Sequence, residues 1–352
     1  MPVVAWHERE ALVSTAYTAR WEDGAWEMLG AFVAEDTRFQ NLQPQVRIGE
    51  GDVPYVAWRG AHDDGKRDVF VAHWTGAEWT RLGEGVQIDP TSNVGSPAFI
   101  LDGDSRPLVA FAQGGSLHVK RWSGSDWELI GTELEFGDNA APTQLSIAVE
   151  GDRIAVAWAE LHAPGRQPYV VIVKEWSGEE WVMRGEPVTS GTNVQTRQPS
   201  VAYQGGELLL AWYEYEIGPD AAPGSKVFVT RWKDDTWEAL GEVVHEDLSV
   251  HTPDLGFTAD GAPAIAFETW QEEPYWASKI EARVWDGNAW QPLGAIPYSD
   301  TNDDAFQFSL TSGPDGELWA AWVEHRGWDE ASGEYGGFED YTGHIARLAP
   351  RE

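Results

Sequence analysis

The segment Trp74-Thr-Gly76-Ala-Glu-Trp79-Thr-Arg-Leu82-Gly83 determines the fold, because versions of it recur along the whole chain. Further copies begin at Trp21, Trp122, Trp176, Trp232 and Trp285. A second segment, apolar-apolar-Ala-aromatic, recurs at intervals of 52, 53, 47, 54, 55 and 55 residues. Its aromatic residues are Trp6, Trp58, Phe111, Trp158, Trp212, Phe267 and Trp322. Repeats of this length are typical of propeller blades.

Each repeat predicts four strands, A to D, and no stretch has sustained helical periodicity. Strand A is often led by proline, strand B contains the Ala-aromatic pair, and the two repeat tryptophans end strand C and open strand D. We predict an all-β propeller of seven four-stranded antiparallel blades, with six as the alternative. The first blade begins at strand B and the last stops in strand C, so both are incomplete. The predicted blades span 1–43, 44–95, 96–142, 143–197, 198–251, 252–305 and 306–352 of a single domain.

The Trp-x-Gly-x-x-Trp-x-x-Leu-Gly repeat resembles the propeller repeats of bacterial secreted and surface proteins. It is more distantly similar to the Asp-box turns of sialidase-like propellers and to the blades of fucose-binding lectins. The resemblance covers nearly the whole chain and implies an extracellular or cell-surface location. Its turns are only loosely like Asp boxes, and Arg47 is the one arginine that we assign to an A strand. The resemblance to sialidases therefore implies architecture alone, since propellers carry unrelated activities.

Charge and composition narrow the classes of partner. The 352 residues include 58 acidic and 24 basic side chains, for a formal net charge of −34. Such a surface repels nucleic acid and anionic membranes, and no apolar run is long enough to insert into a bilayer. The absence of cysteine excludes disulfides and thiolate metal sites, and the N-terminal residues lack a signal-peptide pattern. We expect an acidic, monomeric protein that binds a glycan or another protein.

Most tryptophans are expected to be structural, because 17 of the 21 recur in register and would pack blade on blade. The others are Trp319, in a B strand, and Trp270, Trp276 and Trp328, which we place in the B–C loops of the last two blades. In propellers the B–C and D–A loops share one face, and long loops on a rigid scaffold commonly carry binding sites. The candidate ligand-binding aromatics on that face are Tyr213, Tyr215, Trp270, Tyr275, Trp276, Trp328 and Tyr335. The alternative is that they only fold these loops onto the blades.

A recurring carboxylate forms the second candidate set. The second residue after the B-strand aromatic is acidic in four blades, at Glu8, Glu160, Glu214 and Glu324. The period of a strand puts it on the same side as the aromatic residue, at the end that faces the long loops. Such groups could bind a cation or a basic ligand, or supply the carboxylate pair of a glycosidase. The alternative is a structural acceptor of hydrogen bonds, and we keep Glu160, Glu214 and Glu324 as ligand-binding candidates.

Polar residues also recur where strand A begins, at Gln43, Ser96, Thr143, Gln198 and Thr252, and we expect them to line a central channel. Metal and cofactor signals are weak. Asp300, Asn302 and Asp304 place oxygen donors at alternate positions, as a calcium loop does, but the loop's glycine and distal glutamate are missing. The nine histidines have no metal-binding spacing and there is no nucleophile elbow. We therefore assign no catalytic residue and no cofactor other than this weak calcium candidate.

The function that these patterns favour is a non-catalytic binding or adhesion module. It would recognise a glycan or a protein through the B–C/D–A face, with a bias towards the last three blades. One alternative is a polysaccharide-acting enzyme, a glycoside hydrolase or lyase, that uses carboxylates on the same face. The other is a structural scaffold for protein assembly.

Overall fold

The computed structural model describes residues 2–10, 13–36, 42–134, 142–161, 168–219, 221, 224–243, 249–271, 277–293, 296, 304–313, 316–325, 328–329, 334–335 and 341–348. Nearly all regular structure is antiparallel β, and the described residues contain one short 3-10 turn at Glu50–Asp52. Over these same residues, no helix has the length and apolar character needed to cross a membrane.

Seven sheets are built from consecutive strands, and the chain is a seven-bladed β-propeller. The first three blades are β1 (Val3–Glu10), β2 (Val13–Glu22), β3 (Ala25–Asp36); β4 (Gln45–Ile48), β5 (Pro54–Ala61), β6 (Arg67–Trp74), β7 (Trp79–Arg81); and β8 (Ala98–Leu101), β9 (Pro107–Gln113), β10 (Ser116–Trp122), β11 (Trp127–Leu129). The fourth is β12 (Thr143–Glu150), β13 (Arg153–Leu161), β14 (Tyr169–Trp176), β15 (Trp181–Met183).

The fifth and sixth blades are β16 (Val194–Gln204), β17 (Glu207–Glu216), β18 (Lys226–Lys233), β19 (Thr236–Val243); and β20 (Ser249–Phe257), β21 (Pro263–Gln271), β22 (Ala277–Trp285), β23 (Trp290–Pro292). The seventh consists of β24 (Asp304–Ser312), β25 (Leu318–His325) and β28 (Tyr341–Leu348), with a small hairpin of β26 (Trp328–Asp329) and β27 (Glu334–Tyr335) between its last two strands. In the described residues the first blade has strands B to D and the last has strands A to C. This confirms the prediction of incomplete terminal blades.

The chain forms two compact units. The first comprises Met1–Arg166 and Ile172–Met183, and the second comprises Gln167–Val171 and Arg184–Glu352. Within the first unit, Phe99, Val109 and Phe111 are almost completely buried in one apolar cluster. Within the second unit, Leu209, Ile265 and Phe267 play the same part. Each core lies between neighbouring sheets and is built from the inward-facing residues of strands A to C.

The repeat motif joins each blade to the one before it. In the first unit, the Trp181 indole N–H donates to the Ile130 carbonyl oxygen of the preceding blade at 3.0 Å. The next residue, Gly131, has a φ of +68°, and a Cβ there would lie 2.5 Å from the Trp176 ring. Trp176 and Trp181 pack against each other with ring centroids 5.4 Å apart. The Leu-Gly end of one repeat therefore forms the surface on which the tryptophan pair of the next repeat packs, and we call this surface the Leu-Gly seat. This contact explains why the two parts of the motif recur together.

A β-bulge interrupts the A strands at a fixed place. The register shifts by one residue in β12, β16, β20 and β24. A residue with positive φ occupies each shift, and the four are Gln144, Gln198, Thr252 and Gln307. Gln43 has the same conformation before β4. The ring of polar residues predicted at this position is therefore correct in kind, but its member in the fourth blade is Gln144 and not Thr143.

Candidate functional site

The recurring glutamate is bound by the tryptophan of its own strand. The indole N–H groups of Trp158, Trp212 and Trp322 donate to the carboxylates two residues later, at 2.7, 2.9 and 2.7 Å. The pair Trp6 and Glu8 repeats this contact at 2.9 Å. The predicted side of the strand is therefore confirmed. Glu160, Glu214 and Glu324 are exposed by only 1%, 4% and 3%, so these carboxylates lie beneath the surface.

The same position, or its register partner, also secures an adjacent D–A loop in the second, third and fifth blades. In the third blade the B-strand aromatic is a phenylalanine, and Gln113 replaces the glutamate. Its amide oxygen accepts the N–H of Ile88 at 2.7 Å. In the second blade the position is Gly60, and its register partner Asp68 supplies a fully buried carboxylate that accepts the N–H of Gln87 at 3.0 Å. Blades whose B-strand aromatic is a tryptophan usually have a glutamate at this position, which accepts the indole N–H. In the third blade there is no indole to bind, and the amide of Gln113 is sufficient to hold the loop.

The register layer next to these carboxylates, one residue further from the B–C/D–A end of the strands, distinguishes the blades. In blades four to seven the residue before the bulge on strand A faces the residue that follows the B-strand aromatic. The pairs are Thr143 with Ala159, Arg197 with Tyr213, His251 with Glu268, and Phe306 with Val323 in blades four to seven. In the third blade the equivalent residues are Gly95 and Ala112, joined by a backbone hydrogen bond. In the second blade they are Leu42 and Arg59, joined in the same way. Among the blades whose A-strand residues are described, only the fifth and sixth have titratable or cationic groups in both members of the pair.

The polar groups of these two blades form one cluster in the second unit. We define the blade 5/6 cluster as Arg197, Tyr213, Tyr215, His251, Glu268 and Trp270. The Tyr213 and His251 rings meet edge to face with centroids 5.0 Å apart. Tyr215 stacks on Tyr213 at 6.2 Å, and Trp270 lies 6.4 Å from His251. A continuous row of four rings therefore runs from β17 across β20 to β21.

Arg197 adds a positive charge to this row. Its guanidinium carbon lies 3.7 Å from the centroid of the Tyr169 ring, in the geometry of a cation–π contact. Its Nε is buried and has no hydrogen-bond partner among the described residues. No described carboxylate forms an ion pair with it, although the chain carries 58 acidic residues. A cation held by an aromatic ring and not neutralised by an acid can bind an anionic ligand.

Burial sets the protonation of the two central groups. Burial and the neighbouring Tyr215 raise the pKa of Tyr213 to about 12, although the charge of Arg197 opposes the rise. Burial lowers the pKa of His251 below its usual 6.5. At neutral pH the cluster therefore presents a protonated phenol beside a neutral imidazole. Such a pair can supply a proton from one ring and accept a proton on the other.

The structure places the predicted aromatics as follows. Tyr213, Tyr215 and Trp270 come together in the blade 5/6 cluster, with Tyr213 buried and Trp270 36% exposed. Trp270 lies at the end of strand β21 and not in a loop. Trp328 and Tyr335 are register partners in the β26–β27 hairpin, within a segment predicted to be irregular. Tyr275 and Trp276 lie outside the described residues.

The weak calcium candidate is only partly described. Asp300 and Asn302 lie outside the described residues, and Asp304 is the first residue of β24. Within the ranges given above, no group of three or more acidic or histidine side chains is arranged to hold a metal ion.

Three residues of the cluster, Arg197, His251 and Glu268, were missed in the sequence. Arg197 lies on strand β16, so the statement that Arg47 is the one A-strand arginine is wrong. The error arose because β16 begins five residues before the proline that was taken as its start. His251 was missed for the same reason at β20. Aligning the blades on the residue before the polar ring would have revealed both Arg197 and His251.

Comparisons with known proteins show the fold and leave the family open. No protein-family model matches the sequence, and no curated protein matches it. A protein of unknown function from Dyadobacter fermentans is similar in structure, with 15% identity, a TM-score of 0.55, and coverage of 90% of this chain and 96% of its own. An ulvan lyase, described as a new family of polysaccharide lyase and bound to a glucuronic acid and sulfated rhamnose fragment, has 11% identity, a TM-score of 0.60, and coverage of 97% and 91%. An α-L-arabinanase from Penicillium chrysogenum has 7% identity, a TM-score of 0.55, and coverage of 87% and 93%. Propellers that act on glycans are thus among the structural neighbours.

Proposed function

We propose that the protein is a glycan-acting enzyme that cleaves an acidic polysaccharide next to a uronic acid by β-elimination, at the blade 5/6 cluster. The observation that supports this most is that Tyr213 lies in register with Arg197 and packs against His251, at positions where blades three, four and seven carry small or apolar residues. The second blade pairs Leu42 with Arg59 at these positions, so it has a cation but lacks the tyrosine and histidine that accompany Arg197 in blades five and six. Their presence in adjacent blades points to chemistry on a bound ligand.

Each group matches one requirement of the elimination. The guanidinium of Arg197 would bind the uronate carboxylate and neutralise it, which makes the neighbouring C5–H more acidic. The neutral imidazole of His251 would accept the C5 proton. The C4–O4 bond then breaks as the C4=C5 double bond forms, and the phenol of Tyr213 would donate its proton to the leaving oxygen. The reaction consumes no water and leaves an unsaturated sugar at the new end.

The described carboxylates are less suited to glycoside hydrolysis. Hydrolysis requires two carboxyl groups facing the sugar at a separation of roughly 5 to 10 Å. Glu160, Glu214 and Glu324 are buried, and each accepts a hydrogen bond from an indole N–H of its own strand. They would have to leave these donors to reach a substrate. Tyr213 is buried as well, but no hydrogen bond among the described residues holds its phenol, and His251 is only partly buried, which favours elimination.

The net charge of −34 opposes the approach of an acidic polymer. Dissolved salt screens this long-range repulsion, which decays over a Debye length of about 8 Å at physiological ionic strength. At contact, the local charge of Arg197 decides whether a carboxylate is bound. A polymer of neutral and acidic sugars, or a short acidic fragment, fits this combination better than a dense polyanion.

The structural neighbours support the proposal without identifying the substrate. The ulvan lyase and the arabinanase share the fold and act on glycans, at sequence identities of 11% and 7%. The expected extracellular or cell-surface location would bring the protein into contact with such polymers. We propose a monomeric enzyme that needs no cofactor, since the roles above are filled by side chains.

The experiment is a screen of uronic acid-containing polysaccharides for the ultraviolet absorbance of an unsaturated uronate product. The wild type should form the product, and Arg197→Ala should reduce kcat/KM by about 100-fold or more, as loss of a charge-stabilising group does. Arg47→Ala is the matched control, because Arg47 is an exposed A-strand arginine outside the cluster. Product formed equally by wild type and Arg197→Ala would refute the proposed site.

A second candidate function is binding without catalysis. Trp270 and Tyr215 are the more exposed rings of the row, and exposed aromatic faces stack on sugars. In that case the same acidic oligosaccharides would bind, Arg197→Ala would weaken binding, and no unsaturated product would appear with any substrate.

A further inference from the structure

The buried carboxylate of Glu214 accepts hydrogen bonds from other donors besides the indole of Trp212. Its Oε1 accepts from the Trp212 indole at 2.9 Å, from the Ser190 backbone N–H at 2.9 Å and from the Thr196 hydroxyl at 3.0 Å. The Ser190 hydroxyl donates to the other oxygen. One carboxylate thus joins strand β17, strand β16 and the D–A loop that precedes β16.

These contacts lie directly beside the proposed site. Thr196 and Glu214 are register partners, and the next pair along the two strands is Arg197 with Tyr213. Thr196 is completely buried and its hydroxyl is bound to Glu214, so the backbone is held at the residue directly before Arg197. Arg197 itself is held from the side by the ring of Tyr169.

We infer that Glu214 is a positioning residue, which sets the placement of Arg197 relative to Tyr213 and His251 and so acts on the substrate carboxylate through Arg197. The inference rests on the proposed function, because it assigns Arg197 the role of binding that carboxylate. Gln113 shows that an uncharged residue at this position can hold the D–A loop. Glu214 differs from Gln113, whose four side-chain hydrogen bonds all go to the D–A loop, because it also accepts from the Thr196 hydroxyl on strand β16, next to Arg197.

The test compares Glu214→Ala with Glu160→Ala. Both remove a buried glutamate that accepts an indole N–H, but Glu160 lies in the fourth blade, whose equivalent layer is Thr143 and Ala159. We expect both variants to lower the melting temperature. Only Glu214→Ala should raise the Kd for a uronic acid oligosaccharide, by about tenfold, because small displacements of a binding group are costly. Glu214→Gln, which keeps the shape and an acceptor oxygen, should restore binding to within about threefold of the wild type.

A double-mutant cycle separates positioning from general damage. In an Arg197→Ala background, Glu214→Ala should change the Kd by less than about twofold, since the group that it positions is gone. Should Glu214→Ala not fold, Thr196→Val removes one hydroxyl of the anchor at nearly constant shape and should weaken binding in the same direction. Wild-type affinity in these variants, or an equal loss in the Arg197→Ala background, would overturn the inference. If Arg197→Ala binds like the wild type, the proposed function fails instead.

Discussion

The fourth and fifth blades use the same internal construction and differ in the register layer next to it. Both carry a B-strand tryptophan bound to a buried glutamate, at 2.7 Å in Trp158–Glu160 and 2.9 Å in Trp212–Glu214. Both have a bulge in strand A at the same place. In the register layer next to the carboxylate, however, the fourth blade has Thr143 and Ala159, and the fifth blade has Arg197 and Tyr213.

This difference shows how a repeat protein separates stability from function. Residues that recur in six of the seven blades, such as the tryptophan pairs and the Leu-Gly seats, join neighbouring blades. Residues that depart from the repeat at a single register position, such as Arg197 and Tyr213, leave these contacts between blades unchanged. Function is therefore expected where equivalent positions disagree, and recurrence is a sign of structure.

The largest effect should follow from breaking the shared construction. Trp181→Ala removes an indole that packs on Trp176 and donates to the Ile130 carbonyl of the preceding blade. We expect the free energy of unfolding to fall by about 3 kcal/mol, as for other large aromatic deletions. Trp26→Ala is the control, since Trp26 holds the equivalent position in the first blade but is 40% exposed. Chemical denaturation should show a loss below about 1 kcal/mol for Trp26→Ala, and equal losses would contradict the seat model.

The next largest effect should come from removing the proposed proton donor of the blade 5/6 cluster. Tyr213→Phe removes only the phenol oxygen of the proposed proton donor, so kcat should fall by about 100-fold or more while the Kd for the substrate stays within about threefold. Tyr215→Phe is the matched control, because this ring stacks on Tyr213 one step further along the strand. A similar kcat in both variants would exclude Tyr213 as the proton donor.

The fold could be predicted from the sequence because its signal is repeated. The six copies of the Trp-Gly-Trp-Leu-Gly segment and the seven Ala-aromatic segments predict seven blades, with six as the alternative, and the order of the strands. Local errors, such as the ends of β16 and β20, do not affect that result. The side of Glu214 was also predictable, since strand period alone places it with Trp212.

The site could be predicted only in part. Tyr213, Tyr215 and Trp270 stood out as aromatics beyond the repeat, but Arg197 and His251 precede the segments taken as strand starts. Their approach depends on bulges with positive φ at Gln198 and Thr252, which a sequence pattern does not reveal. Contacts between side chains of different blades, such as Tyr213 with His251, depend in addition on tertiary packing.

A smaller effect should come from the exposed end of the row of rings. Trp270 is 36% exposed beside His251, where a second sugar unit could stack. Trp270→Ala should weaken oligosaccharide binding by about tenfold, which corresponds to about 1.4 kcal/mol, with little change in melting temperature. Trp21→Ala is the control, since Trp21 is 39% exposed and lies in the first blade. Calorimetric titration that finds equal affinities in the two variants would remove Trp270 from the site.

The pH profile gives a further check at smaller amplitude. Burial lowers the pKa of His251, so kcat/KM should fall on the acid side only below pH 6.5, where the imidazole becomes protonated. Tyr213, with a pKa of about 12, stays protonated through neutral pH, so its ionisation should cause no loss there. Because the unfolded chain binds this proton first, stability also declines below pH 6.5, and melting temperatures at each pH serve as the control. An acid limb above pH 6.5 would contradict a buried neutral His251.

The most direct test of the central claim is a crystal structure of Tyr213→Phe with a uronic acid oligosaccharide. This variant should bind the substrate without turning it over. The account predicts a uronate carboxylate against the Arg197 guanidinium, C5 facing His251 and a neighbouring sugar on Trp270. A sugar bound elsewhere, with the blade 5/6 cluster empty at saturating ligand, would contradict it.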